Sequence, residues 1–145
     1  MSDRSDSSSD AGANKRLIED VFAAWSQGNI QPLLDAMDDD FRWVFPGSWS
    51  WSGTWEPKAV VIQDLLRGGI GSRLDGPFRQ EPDFVLADGD RVVVQTRGFG
   101  TTKSGDAYNN TYCLVFRLRD GRLTEVIEHC DTALVDRVLG PPPAT

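Results

Sequence analysis

The apolar positions change period along the chain, and each change marks an element. Leu17, Val21, Ala24 and Trp25 recur at helical spacing within Asn14 to Gln27, with Asn14 a candidate N-cap and Gly28 a stop. A second short helix is expected over Ile30 to Met37, ended by the solvated acidic run Asp38-Asp39-Asp40. Phe41 to Phe45 then reads as a strand, and Pro46 to Trp55 as a loop rich in Trp, Ser and Gly. Glu56-Pro57 opens a third helix, where the missing proline N–H costs nothing, and Gly68, Gly69 and Gly71 close it after about Leu66.

From there the period is two. Phe78 to Ala87 and Arg91 to Thr101 are strands joined at Asp88-Gly89-Asp90. Tyr108 to Leu118 and Leu123 to Cys130 are two more, joined by Arg119-Asp120-Gly121-Arg122. Val135 to Leu139 is a short apolar terminus. Helix, helix, strand, helix and four consecutive strands make an α+β layout, with a twisted antiparallel sheet curled around a layer of about three helices. Residues 14–140 form one domain on this reading. Residues 1–13 are a Ser/Asp-rich tail expected to be disordered, and 141–145 a loose proline-rich end.

Composition narrows the partners. A net charge of −7 with no Lys/Arg cluster argues against nucleic acid. No apolar run reaches membrane-spanning length and no basic segment precedes an apolar one, so neither a span nor a secretory leader is expected, and the location implied is cytoplasmic. The two cysteines, Cys113 and Cys130, read as a reduced pair of small core residues. One histidine leaves no recognisable metal-ligand spacing, so no metal is expected. The glycines after the third helix do not follow a strand, which argues against a phosphate loop.

Candidate chemistry gathers in the last third. One face of the Tyr108 strand carries Asn110, Tyr112, Leu114, Phe116 and Leu118, polar at one end and apolar at the other. Hydrophobic pockets with a few placed polar groups have this character. Asp131, just past the next strand, has two readings: an acid/base whose pKa burial raises and an arginine lowers, or the N-cap of a short final helix. Arg97 pairs with Asp131, or holds a substrate oxygen, or is a surface arginine. His129 is a second acid/base or simply exposed. Asn110 and Tyr112 donate to a carbonyl or enolate oxygen, or serve ladder-edge packing. Trp43, Trp49, Trp51 and Trp55 crowd one short segment and suit a flat apolar ligand or a subunit contact.

The order of elements resembles the nuclear transport factor 2-like cone fold, and its details resemble the SnoaL-like branch. The pieces that carry this are Phe22-Ala23-Ala24-Trp25-Ser26-Gln27-Gly28-Asn29, Ser52-Gly53-Thr54-Trp55, and Phe116 to Val126 running on to Asp131-Thr132. The fold hosts isomerases, cyclases, dehydratases, epoxide hydrolases and binding modules. Ketosteroid isomerases use a carboxylate base with a tyrosine and a protonated aspartate as oxyanion donors; between them those three places fall on Val21, Phe45 and Leu114, all apolar, so that arrangement is absent. Limonene-epoxide hydrolases are matched at Arg97 and Asp131, but Phe99 replaces a second aspartate and Trp43 and Phe45 replace the water-holding pair. What the resemblance implies is SnoaL-type chemistry: Asp131 as acid/base in an apolar cavity, without cofactor. Arg97, Tyr112, Asn110 and His129 would assist, and Trp43, Phe45, Trp49, Trp51, Trp55, Phe99 and Leu114 would line the wall. It further implies a small hydrophobic oxygenated substrate and a homodimer through the open sheet face. A non-catalytic ligand-binding or association domain is the alternative, and a limonene-epoxide-hydrolase-like enzyme a third.

Overall fold

The structure, a computed structural model, describes residues 3–144. Helix α1 spans Asp3–Trp25 and α2 Gln31–Ala36; strand β1 spans Met37–Phe45 and β2 Gly53–Trp55. A short α3, Lys58–Val60, leads into a π-helix, Val61–Ile70, and a 3-10 turn, Gly71–Arg73. Strands β3, Arg79–Asp88, β4, Arg91–Thr101, β5, Ala107–Arg119, and β6, Arg122–Cys130, precede α4, Thr132–Val138. Helix α1 begins within the stretch read as a tail, while Met1, Ser2 and Thr145 lie outside the described residues.

The sheet has six strands in the order β2-β1-β6-β5-β4-β3. It curves around the helices without closing, the α+β cone expected, with one correction: β1 pairs with β6 in parallel, so the sheet is mixed. β1 also starts earlier than its apolar run suggested. Met37 is fully buried opposite Leu123, and its carbonyl accepts from Arg122 Nη2 at 2.7 Å, which draws Asp38-Asp39-Asp40 into the strand.

Two further expectations are revised. Asn14 is not an N-cap, because α1 runs through it; its side-chain amide donates to the Gly89 carbonyl at 3.2 Å, tying helix to hairpin. The glycines after Leu66 do not end the third helix but let it widen. A Cβ on Gly68, Gly69 or Gly71 would lie 2.8, 2.9 or 2.6 Å from the carbonyl oxygen five residues back, so only glycine fits this winding.

The core lies between α1, the π-helix and the concave face of the sheet. Ile18, Phe22, Met37, Phe41, Leu65, Leu114, Phe116 and Leu123 are all essentially inaccessible there. Phe22 meets Phe116 edge-on with ring centroids 6.1 Å apart, which seats α1 on β5. Among the described residues no helix is long and apolar enough to cross a membrane.

Candidate functional site

Strand β5 delivers its even-numbered side chains inward, as its alternation requires: Tyr108, Asn110, Tyr112, Leu114, Phe116 and Leu118 are buried. Which residues of β6 join them is decided at the turn. Asp120 and Gly121 both take positive φ, 52° and 74°, the geometry of a tight two-residue hairpin. Leu118 then faces Leu123, but Arg117 faces Glu125, so Thr124 is an extra residue. Its hydroxyl donates to the Arg117 carbonyl at 3.2 Å and fills the kink. Beyond this bulge Leu114 faces Glu128 and Tyr112 faces Cys130. Without it, Ile127 and His129 would take those inward places.

The carboxyl group inside the cone is therefore Glu128, a residue the sequence reading passed over. It is 8% exposed, and its Oε1 accepts from Trp43 Nε1 at 3.1 Å. Burial pushes its pKa up to about 7, opposed by hydrogen bonds from Cys130 and Trp43. Burial, then the adjacent Glu128, holds the Cys130 thiol protonated. Tyr112 and Tyr108 are likewise raised, chiefly by burial, so both phenols keep their hydrogens.

Beside Glu128 runs a chain of hydroxyls. Asn110 Nδ2 donates to Tyr108 Oη at 3.1 Å, and Tyr108 Oη lies 3.1 Å from Tyr112 Oη. Either hydroxyl can donate across that pair; when Tyr108 donates, the hydroxyl hydrogen left free is that of Tyr112, which is 7% exposed. Phe78 braces the pair, tilted against Tyr108 at 5.8 Å and edge-on to Tyr112 at 6.3 Å. Its ring lies against Gly98, where a Cβ would fall 2.2 Å from the Phe78 ring and 2.8 Å from Tyr112. That close approach is why β4 carries glycine at this point. Further along the sheet, Thr96 donates to Gln80 at 2.9 Å, both buried.

The other residues singled out from sequence divide between the two faces. Asp131 is exposed at the N-cap of α4, its Oδ1 accepting from the Leu134 N–H at 3.1 Å, because β6 ends one residue earlier and the chain turns outward. Asn110 is inward, but its amide is consumed structurally: it also donates to the Asp131 carbonyl at 3.3 Å and accepts from Asp131 N–H at 3.1 Å, pinning β6 to β5. Arg97 lies on the outer face, its Nε 3.0 Å from Asp83, so it does not meet Asp131. Phe99 shares that face, with the Arg79 guanidinium 4.9 Å over its ring. His129, on the odd strip of β6, is exposed.

Trp43, Phe45 and Leu114 are buried on the concave side, as their strand parity requires. Trp55 is the cross-strand partner of Trp43 and packs against Trp51 at 6.2 Å, while Trp49 packs edge-on to Phe45 at 5.7 Å. Trp49 Nε1 donates to Pro46 O at 3.1 Å, Trp51 Nε1 to Gly140 O at 2.9 Å, and Arg73 stacks on Trp51 at 5.3 Å. Cys113 and Cys130 fall on opposite faces of neighbouring strands, so they are not neighbours in the core. At the other end of the sheet, beside the two hairpin turns, an open groove of about 960 Å³ is lined largely by charged groups, among them Asp38, Asp40, Asp90 and Glu125. Its polarity does not suit a hydrophobic ligand. Among the described residues, no group of three His, Cys, Asp or Glu is placed to hold a metal ion.

Comparison with known proteins agrees with this architecture. The profile of the SnoaL-like domain matches residues 18–126. An NTF2-like protein of unknown function from Burkholderia pseudomallei superposes with a TM-score of 0.73 at 24% identity, over 88% of this chain and 97% of that one. A SnoaL-like polyketide cyclase from Jannaschia gives 0.72 at 19% identity, over 92% and 95%. TerC, crystallised with polyporic acid, gives 0.72 at 25% identity, over 88% and 98%.

Proposed function

Because the chain belongs to the SnoaL-like family, we propose that it binds a hydrophobic, oxygenated small molecule in its cone and moves a proton next to a carbonyl there. Glu128 is the acid/base. A carboxyl group with a pKa near 7 populates both proton states at neutral pH, so it can take a proton from carbon and return it. Tyr112, at the end of the hydroxyl chain, donates to the oxygen on which charge develops. Trp43 is a positioning residue, holding one carboxyl oxygen through its indole N–H. Isomerisation, cyclisation and dehydration all begin with this step, and none requires a cofactor. The polyporic acid bound to TerC supports a flat, oxygenated ligand for this scaffold.

The observation that carries the reading is the inward Glu128 carboxyl. Its test uses α-tetralone carrying deuterium next to the carbonyl, with wash-out followed by NMR. The protein should accelerate exchange, and Glu128→Gln should slow the catalysed rate by about 10²–10⁴-fold, the usual range for a general base. Asp131→Ala should leave it unchanged. Loss of exchange in Asp131→Ala with retention in Glu128→Gln would contradict the assignment.

A second reading, an association domain without catalysis, is favoured by how little space Trp43, Tyr112 and Glu128 leave around themselves, at 4%, 7% and 8% exposure. It predicts no saturable ketone binding and no exchange above the buffer rate. The outer sheet face is the seat we assign to a homodimer, supported by Phe84 and Leu86 standing 46% and 59% exposed on β3. Sedimentation of wild type against Leu86→Glu tests it, with monomer expected for the variant.

A further inference from the structure

One buried side-chain polar atom is left without a partner among the described residues: the indole nitrogen of Trp25, in a residue only 4% exposed. An indole N–H only donates, and leaving it unpaired inside a protein is costly. Trp43, Trp49 and Trp51 all have acceptors for theirs, and Trp55 is only half-buried, which leaves Trp25 as the buried exception.

Its position follows from how α1 lies on the sheet. Asn14 is tied to Gly89 at the β3–β4 turn, and Gly28 abuts Pro77, just before β3. Helix α1 therefore runs antiparallel to β3, and its later turns move away from the hairpin. Phe22 sits over Phe116. Trp25, packed against Phe22 at 5.4 Å, is one turn further on, ~4.5 Å by helical rise. The next inward residue of β5 in that direction is Leu114, and Leu114 is paired with Glu128. An unsatisfied donor on the helix side and the carboxyl on the sheet side thus share one level of the cone, within the apolar core that holds Val21, Phe22 and Leu114.

The geometry points to Trp25 as a second anchor: its N–H donates to an oxygen at the far end of a flat ligand whose carbonyl lies at Glu128 and Tyr112. This rests on the proton-transfer reading above and narrows its substrate to an apolar ring system with an oxygen at each end, such as a bicyclic hydroxyketone. Trp25 is then specificity-determining, because a ligand lacking the far oxygen leaves the donor unpaired.

The experiment compares α-tetralone with 6-hydroxy-α-tetralone, by calorimetric titration and by following the Trp25 indole resonance in nitrogen-15-labelled protein. Wild type should bind the hydroxyketone about tenfold more tightly, one hydrogen bond's worth of selectivity. Trp25→Phe should erase that preference, with circular dichroism showing that the variant is folded. The Trp25 resonance in wild type should move downfield with the hydroxyketone alone, a readout independent of any variant. Equal affinities in wild type, binding of neither ketone, an unmoved resonance, or equal weakening of both ketones by Trp25→Phe would each overturn the anchor. Glu128→Gln separates the two claims. If it changes neither exchange nor affinity while Trp25→Phe still removes the preference, the proton-transfer role fails and the anchor stands.

Discussion

Two strips of one short strand, the even and odd residues at the end of β6, differ in almost every physical respect. Glu128 and Cys130 face the core; burial lifts the pKa of each, and hydrogen bonds join them to each other and Glu128 to Trp43. His129 and Asp131, their immediate neighbours, are exposed, and Asp131 is occupied in capping a helix. The residue types on the outer strip look the more catalytic. What assigns the roles is not residue type but the single extra residue at Thr124, which shifts the register by one and exchanges the faces.

Shifting the strand beyond that residue is the most severe way to break the contrast. Deleting Ile127 moves Glu128 opposite Val115 on the outer face and His129 opposite Leu114 on the inner one; we expect no cooperative unfolding transition by circular dichroism. A deletion variant with wild-type stability would show that the register does not decide which strip is buried.

The next effect is on stability against pH. The folded-state pKa of Glu128, about 7, lies above its ordinary value of 4.5, so the folded state holds a proton the unfolded state has released between those limits. Stability should be greatest below pH 4.5 as far as this group is concerned, and fall as pH rises to 7, by on the order of 3 kcal/mol in total. Glu128→Gln should remove that slope and be more stable than wild type at pH 8. Urea titrations at several pH values measure both. An unchanged slope in the variant would sink the claim that this carboxyl is buried.

Gly98→Ala tests the brace behind the tyrosines. A methyl group driven into Phe78 and Tyr112 should cost about 1–3 kcal/mol, the usual toll of overpacking, and weaken ketone binding as Tyr112 shifts. Smallest is Asp131→Ala. Loss of the cap at α4 should lower stability by about 1 kcal/mol in thermal denaturation. A fall in deuterium exchange beyond what stability explains would return chemistry to the outer strip.

Much of the scaffold was legible in the sequence because its signals are local. The alternation of Tyr108 to Leu118 announced the inner face of β5, and Asp120-Gly121 announced the turn. The site was less legible, because its decisive feature is a count. A trace of the bulge did exist: Leu123 and Val126 are three apart, which breaks a period of two, but Ile127 is also apolar and lets the unbulged register pass. Glu128 then falls among polar neighbours with nothing local to mark it. The parallel pairing of β1 with β6 was hidden for another reason, since it joins segments far apart in the chain and their alternation is the same in either direction. The glycines of the π-helix misled because their need for close approach is invisible until the helix is wound.

The most direct measurement is a carbon-13 NMR titration of the side-chain carboxyl groups, with the Glu128 resonance identified by its loss in Glu128→Gln. The resonance should titrate with a midpoint near 7. A midpoint in the ordinary glutamate range would mean that the carboxyl is in water, and the inner strip of β6 would lose its claim to be the site.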